Sequence, residues 1–408
     1  MRTHIAVLSQ YYYPENFRIT DICEELVERG YEVTVITGIP NYPEGNFYPG
    51  YGLCKRREEV HNGVRIIRLP IISRGKSAAR LVLNYFSYVI SGWFYKIFSE
   101  LKADIIYTHE VSPMMQAYVG KWLAKKWSVP SILCVQDLWP ESVESTVGIT
   151  NKHILKWLTN QSIDLYEAYT RILVSSKGYI GAIAKRGIPE DKIYYWPQYA
   201  EDIYKPSETK SDLIPQDGRL NITFTGNIGT AQGLEILPAT ALRLKEIGEL
   251  VRFNLVGDGR YKENLVHRIK SQGLTDFFNF IPRQPQDAIP SILAASDLGY
   301  LSFANKPLFS LVLPAKLQTY LACGVPILAS ADGESARLIL ETNTGLVSEA
   351  GDVDSLVANI IRFKCLSRDD KMRMKTNARE VAEKEFSRKP LMDELQGHIE
   401  TLILGRYQ

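Results

Sequence analysis

Several protein classes are excluded by what this 408-residue sequence lacks. Its five cysteines (Cys23, Cys54, Cys134, Cys323, Cys365) are far apart and form no Cys-x-x-Cys pair. That argues against a disulfide framework and structural zinc, and it suits a reducing compartment. The net charge of +2 lacks the concentrated basic excess of a nucleic-acid-binding domain. Nothing reads as an Asp-x-Asp metal site, so metal independence is expected, and no G-x-G-x-x-G marks a dinucleotide site. The N-terminus turns polar after one short apolar run, so no signal peptide is expected. The longest apolar stretch, Leu81–Phe98, is near the lower bound for a membrane span. It contains Asn84, Ser87, Ser91, Gly92 and Lys96, and strand-like runs lie on both sides of it. It reads as a crossover helix.

What is present is an α/β grammar. Short β-branched runs (Ile5–Leu8, Glu32–Thr37, Val64–Leu69, Asp104–Thr108, Ser131–Val135, Arg171–Val174) alternate with helical patterns, which predicts a parallel sheet covered on both faces. Arg18–Arg29 places Ile19, Ile22, Cys23 and Leu26 on one helical face before Gly30. The second half repeats the pattern, with strands expected at Asn221–Thr225, Arg252–Val256, Phe277–Phe280, Leu298–Tyr300 and Pro326–Ala329. Helices are expected at about 234–248, 260–272, 288–295 and 315–323. Gln198–Arg219 is polar, proline-containing and aperiodic, a linker composition. The organisation expected is an N-terminal Rossmann-like domain over 1–197, a linker over 198–218, and a second such domain over 219–387. A last helix covers 388–404. Two such domains leave a cleft at the carboxyl ends of their sheets.

The phosphate-binding signal is strongest in the second half. Thr225-Gly226-Asn227-Ile228-Gly229-Thr230-Ala231-Gln232-Gly233-Leu234 follows a strand and is expected to enter a helix. Its glycines admit close backbone approach, and a helix N-terminus supplies N–H groups. A plain glycine turn is the bland alternative. A second glycine turn, Gly257-Asp258-Gly259-Arg260, ends the next strand. Leu313-Pro314-Ala315-Lys316 then puts a lysine in a helix's first turn, unfavourable unless an anion is near.

On these stretches, together with YYYPENFRITDICEELVERGYEVTVIT and LPAKLQTYLACGVPILAS, the sequence resembles family 4 of the retaining GT-B glycosyltransferases from end to end. It is most similar to the subgroup that adds amino- or deoxy-sugars in bacterial O-antigen, capsule or colanic-acid assembly. The resemblance implies two Rossmann-like domains facing each other across a cleft, with the 388–404 helix packing back on the N-terminal domain. It implies a nucleotide-sugar donor as substrate, uridine-linked in our reading, with no cofactor and no metal. It also implies a polyprenyl-diphosphate-linked sugar acceptor, and a cytoplasmic enzyme held peripherally at the inner face of the plasma membrane.

Residue by residue, the resemblance assigns the donor to Gly226, Asn227, Gly229, Gln232, Gly257, Asp258, Arg260, Arg283, Leu313, Pro314, Lys316 and Thr319. His109, at the end of Tyr107-Thr108-His109-Glu110, matches the family's histidine near the donor sugar; taken alone it reads equally as structural. With Lys316 it completes the catalytic pair. Tyr13, Glu15 and Asn16, after the first strand, and Asp137, after Cys134-Val135-Gln136, are the acceptor candidates; Asp137 reads equally as a helix cap. The aromatic loop Gly38–Tyr51 is a further acceptor surface or a loop packing its own tyrosines.

The sequence departs from the family at the phosphate turn, where Asn227 and Gln232 stand in place of an Arg and a Lys. It departs again at the paired glutamates, replaced by Thr319 and Leu311. Two other functions therefore stay open: a GT-B sugar-nucleotide epimerase, and a non-catalytic sugar-nucleotide-binding partner.

Overall fold

The computed structural model describes residues 2–405, apart from the side chains at 146 and 147. It divides into two compact units. One comprises Met1–Ser175, Ile180–Trp196 and Met392–Gln408, the other Ser176–Tyr179 and Pro197–Leu391.

The first unit carries eight strands: β1 (His4–Leu8), β2 (Glu32–Gly38), β3 (Glu58–His61), β4 (Val64–Leu69), β5 (Ile105–Glu110), β6 (Ser131–Val135), β7 (Arg171–Val174) and β8 (Ile193–Tyr195). Their order is β3-β4-β2-β1-β5-β6-β7-β8, parallel except for the β3 edge hairpin. The central strands are buried along nearly their whole length, as a sheet covered on both faces requires. Because β1 continues to β2 on one side and neighbours β5 on the other, a crevice opens beyond the carboxyl ends of β1 and β5. The helix Ile19–Glu28 buries the four residues expected of it.

The Leu81–Phe98 segment is the greater part of a helix, Ala78–Phe98, started by Ser77, whose side chain accepts from the Arg80 N–H. No helix among the described residues is long and apolar enough to cross a membrane. Its buried face is the row Asn84, Tyr88 and Gly92. A Cβ on Gly92 would come 2.3 Å from Val119, so glycine is what admits the helix to its neighbour at Ala117–Trp127. The opposite face exposes Val82, Phe86, Ile90, Trp93 and Ile97. This helix is apolar outward.

The end of the last helix, Arg388–Leu404, belongs to the first unit from Met392 onward. Arg29 holds Asp393 at 2.7 Å and Gln396 at 2.9 Å, and Tyr31 donates to Glu400 at 3.1 Å.

The second unit has six parallel strands: β9 (Leu220–Thr225), β10 (Val251–Val256), β11 (Phe278–Ile281), β12 (Leu298–Ser302), β13 (Ile327–Ser330) and β14 (Gly345–Ser348). They run in the order β11-β10-β9-β12-β13-β14, so their crevice lies beyond β9 and β12. The stretch 198–218, read from composition as a linker, is part of this unit. Ile214 is 1% exposed within an apolar cluster with Val256, Ile281 and Ile292, and the Ser211 N–H bonds the Ser291 carbonyl. A polar, aperiodic segment can still be anchored by a single apolar side chain.

Candidate functional site

The donor-type residues of the second unit converge on the carboxyl ends of β9, β10 and β12. Gly226 (φ +129°) and Gly257 (φ +144°) end β9 and β10. A Cβ on Gly257 would lie 1.9 Å from the Gly226 carbonyl oxygen, so the two turns nest as bare backbone. The turns are then tied together: Ile228 N–H donates to the Asp258 carbonyl at 2.8 Å, and Tyr261 N–H to the Ile228 carbonyl at 3.1 Å. The expected direct entry into a helix is corrected. Two 3₁₀ turns, Thr230–Gln232 and Leu234–Ile236, intervene before the helix Leu237–Glu246. Gln232 explains part of this, because its side chain accepts from the Gly229 N–H at 3.1 Å and closes the turn on itself.

Lys316 lies in the first turn of Ala315–Ala322, with Pro314 in extended backbone just before it. Its Nζ sits 3.8 Å from the centre of the Phe224 ring and beside Gly226. No carboxylate pairs with it among the described residues, and burial pushes its ammonium down to about 7. Tyr320, one turn on, fixes this helix to the strand end. Its hydroxyl accepts from the Thr225 N–H at 3.0 Å and donates to the Tyr300 carbonyl at 3.2 Å. A lone cation is thus held against glycine backbone and a helix N-terminus, an arrangement that an anion completes.

The remaining donor candidates are less engaged. Asn227, Asp258, Arg260 and Arg283 are exposed, and the Asp258 carboxylate caps the Gly259 N–H. Leu313 is partly buried beside Pro314, and the Thr319 hydroxyl bonds back to the Ala315 carbonyl at 3.2 Å. The chain does hold one Asp-x-Asp spacing, Asp352 and Asp354. It opens the helix Val353–Cys365, where Asp352 caps the Ser355 N–H and Asp354 pairs with Arg243. Both carboxylates serve the helix start.

In the first unit, His109, Ser112 and Asp137 lie at the carboxyl ends of β5 and β6, whereas Tyr13 turns away from β5, toward the β3/β4 edge, which corrects its expected place beside them. His109, next to last in β5, is 4% exposed and has no partner for its Nδ1 among the described residues; burial and the Arg18 charge push it down to about 3. It is a neutral imidazole. Asp137 Oδ2 accepts from both the N–H and the hydroxyl of Ser112 at 2.8 Å, and the Trp139 indole donates to the same hydroxyl at 3.1 Å. Tyr13 stacks on His61 at 3.6 Å, and Asn16 is exposed.

Glu15 corrects the expectation that it faces an acceptor. It is 2% exposed, and its carboxylate accepts from the N–H groups of Asn41 and Tyr42 at 2.7 Å and of Tyr12 at 3.3 Å. Burial outweighs those bonds and raises it to about 7. Glu15 pins the aromatic loop to the end of β1.

Sequence reasoning passed over Glu110. This residue is 2% exposed, with an unpartnered Oε1 among the described residues, and burial beside Asp137 holds its proton well above the usual carboxylate range. The signal available was a carboxylate directly after His109 at the end of a fully buried strand.

Two Rossmann-like domains, one with a lone lysine at glycine-lined strand ends, fit the architecture of the GT-B glycosyltransferases. Residues 16–197 match the Glycosyl transferase 4-like domain and residues 207–381 the Glycosyl transferases group 1 profile. Together these two matches make it a family 4 glycosyltransferase. It is 26% identical to the putative colanic acid biosynthesis glycosyl transferase WcaI of Escherichia coli (strain K12), over 95% of this chain and 97% of that protein. Among solved structures it resembles sucrose-phosphate synthase of Thermosynechococcus elongatus (TM-score 0.77, 16% identity, 99% and 100% covered). It also resembles Anabaena Alr3699/HepE in complex with UDP and glucose (TM-score 0.69, 16% identity, 98% and 100% covered). At that identity these two structures speak to the fold.

Proposed function

We propose that the chain transfers a sugar, N-acetylated amino- or deoxy- in type, from a UDP donor to a polyprenyl-diphosphate-linked sugar in surface polysaccharide assembly, with retention at the anomeric carbon. The observation that carries this reading is Lys316, an unpaired cation over Phe224 at the nested Gly226 and Gly257 turns. Full-length similarity to a colanic acid transferase supports the process, and UDP in the Anabaena structure supports the base.

In this reading the diphosphate lies on the Gly226–Gly233 turn and the N-terminus of Ala315–Ala322, with Lys316 stabilising the negative charge that develops as it leaves. The acceptor hydroxyl attacks C1 from the face the diphosphate vacates. The new C–O bond forms as the old one breaks, and the hydroxyl proton passes to the departing phosphate oxygen. No metal or cofactor enters these steps. Binding of the acceptor falls to the first unit, with Asp137 as its polar contact, and His109 serves as a neutral hydrogen-bonding group toward the donor sugar.

An acceptor with a polyprenyl tail puts the reaction at a bilayer, and the outward apolar face of Ala78–Phe98 supplies a docking surface on the first unit. Lys76 and Arg80 lie exposed at its start, where each cation near anionic lipid contributes about 1 kcal/mol. Arg74 is turned inward instead, donating to the Tyr11 hydroxyl at 3.1 Å and stacking over Tyr42.

The direct test is incubation with a panel of UDP-sugars and lipid-diphosphate-linked sugars, with product anomers read by NMR. Lipid-bound product of retained configuration is expected. Epimer released without acceptor, or UDP binding without turnover against the whole panel, would replace this reading by the epimerase or the non-catalytic partner.

A further inference from the structure

Beside the docking helix the first unit has an apolar groove of about 560 Å³, between the 38–57 loop, the segment after β4 and the helix Ala78–Phe98. Phe47, Leu53, Ile71, Ile72 and Ile90 line it, with Arg80 at its edge. Leu53 (55%) and Ile90 (56%) are exposed, and Ile90 is shared with the outward face of the helix, so groove and face are continuous.

The edge is built rather than incidental. Arg80 donates to the Ser73 hydroxyl at 2.7 Å. Its side chain lies so close over Gly75 (φ +59°) that a Cβ there would come 2.6 Å from Arg80 Cδ. Gly75 is in turn tied to Gly45 of the loop through an N–H to carbonyl bond of 2.8 Å. Among the described residues no carboxylate pairs with Arg74, Lys76 or Arg80. Arg74 continues the series toward the end of β1, where its N–H donates to Asn41 Oδ1 and its guanidinium meets Tyr11. The chain order therefore runs from the crevice at β1, through three basic side chains, to an apolar channel. A glycosylated lipid diphosphate has the same order of polar sugar, dianionic linker and apolar tail.

The geometry points to this groove as the seat of the first isoprene units of a polyprenyl diphosphate, with Arg80 and Lys76 on the diphosphate. The inference rests on the lipid-linked acceptor proposed above. A phospholipid shares the tail and the negative charge but has no group that continues past Arg74 toward β1.

The test uses the full chain and farnesyl diphosphate, with saturating UDP present to occupy the donor turns. Inorganic diphosphate and a short-chain, monomeric phosphatidylglycerol are titrated alongside by calorimetry. Each buried methylene strengthens binding by about four-fold, so burial of two or three carbons should make farnesyl diphosphate bind at least about ten-fold more tightly than inorganic diphosphate. Ile90→Glu should abolish that gain, as should Leu53→Asp, a second exposed position that leaves the core intact; melting curves confirm folding of both. Arg80→Ser should weaken both diphosphates.

Equal affinity for the two diphosphates, or a gain that survives both groove variants, overturns the proposal. So does phosphatidylglycerol binding as tightly as farnesyl diphosphate, which would make the groove a general lipid contact. UDP titration of the protein before UDP is added for the farnesyl series separates the two readings. UDP binding without a farnesyl gain removes the groove and leaves the transferase; a farnesyl gain without UDP binding does the reverse.

Discussion

Replacing Lys316 tests the donor site at the atom on which it depends. Lys316→Met keeps the apolar stem against Phe224 and removes the charge. A hydrogen bond to a charged group contributes roughly 1.5–3 kcal/mol, so UDP should bind about 10- to 150-fold more weakly, read by calorimetry. Proton linkage gives an independent signature. In the free protein burial lowers this lysine from its ordinary 10.5 to about 7, and a bound diphosphate raises it again. At pH 8 the free lysine is mostly neutral, so UDP binding should draw up close to one proton, measurable in buffers of different ionisation enthalpy. UDP affinity should be flat in this group below pH 7 and should fall above it. Stability runs the other way. A lysine depressed in the folded state binds fewer protons than the unfolded chain between about 7 and 10.5, so its penalty is full below pH 7 and fades as pH rises. Lys316→Met should therefore melt higher than wild type at pH 6.5 without ligand and lose that advantage in UDP. Unchanged UDP affinity in a folded variant, or no proton uptake at pH 8, would refute the site.

Three other outcomes are expected. His109→Ala should lower kcat by more than it alters the UDP Kd, whereas a large drop in melting temperature would mark His109 as structural. Glu15→Ala should cost about 3 kcal/mol or more in denaturant unfolding, because three backbone N–H groups lose their acceptor. The folded Glu15 carboxyl keeps its proton up to about 7 against an ordinary 4.5, so its contribution to stability falls across that window as pH rises; Glu15→Gln should remove the slope. In flotation with anionic liposomes the protein should float at low salt, and Lys76 and Arg80 changed together to Ser should float less. Wild type remaining in the soluble fraction at every salt concentration would end the docking idea.

Most of the sheet framework was legible because strands covered on both faces are continuous β-branched runs: β2, β4, β6 and β7 begin where the pattern places them, and β1 begins one residue earlier, at His4. The short edge strands β3, β8 and β14 gave no such run. For β3 the readable mark was its turn, Asn62-Gly63, both at positive φ, the favoured hairpin dipeptide. The helix Arg368–Glu385 buries only Met374, Ala378 and Ala382 in eighteen residues, too thin a stripe to stand out from its charges. Lys316 was legible because a lysine in a first helical turn is chemically out of place. Glu15 was misread for the converse reason. A carboxylate in a strand-end turn suits either a ligand or the backbone, and the two closest of the three N–H groups that engage it come from residues 41 and 42, a separation that no local pattern records.

The groups at the β1/β5 crevice also bear on how the proposed transfer moves its proton. His109, held near 3, is too weak a base to take a proton from a hydroxyl, and Glu110 is 2% exposed, with burial and Asp137 holding its proton well above the usual carboxylate range. Glu15 is engaged by backbone. Asp137 is the remaining carboxylate, and Ser112 already donates twice to its Oδ2. If the departing diphosphate is the base, Asp137 only orients the acceptor hydroxyl through its other oxygen. Asp137→Asn should then lower kcat by about ten-fold, the loss of one charge-assisted hydrogen bond, while leaving the UDP Kd and the shape of the kcat against pH profile unchanged. A general base would behave differently, with a loss of about 10²–10⁴ in kcat and the disappearance of the acidic limb of that profile. Measuring both in the same variant decides between a carboxylate and the leaving group as the proton's destination, and a lost limb would overturn the front-face mechanism as written.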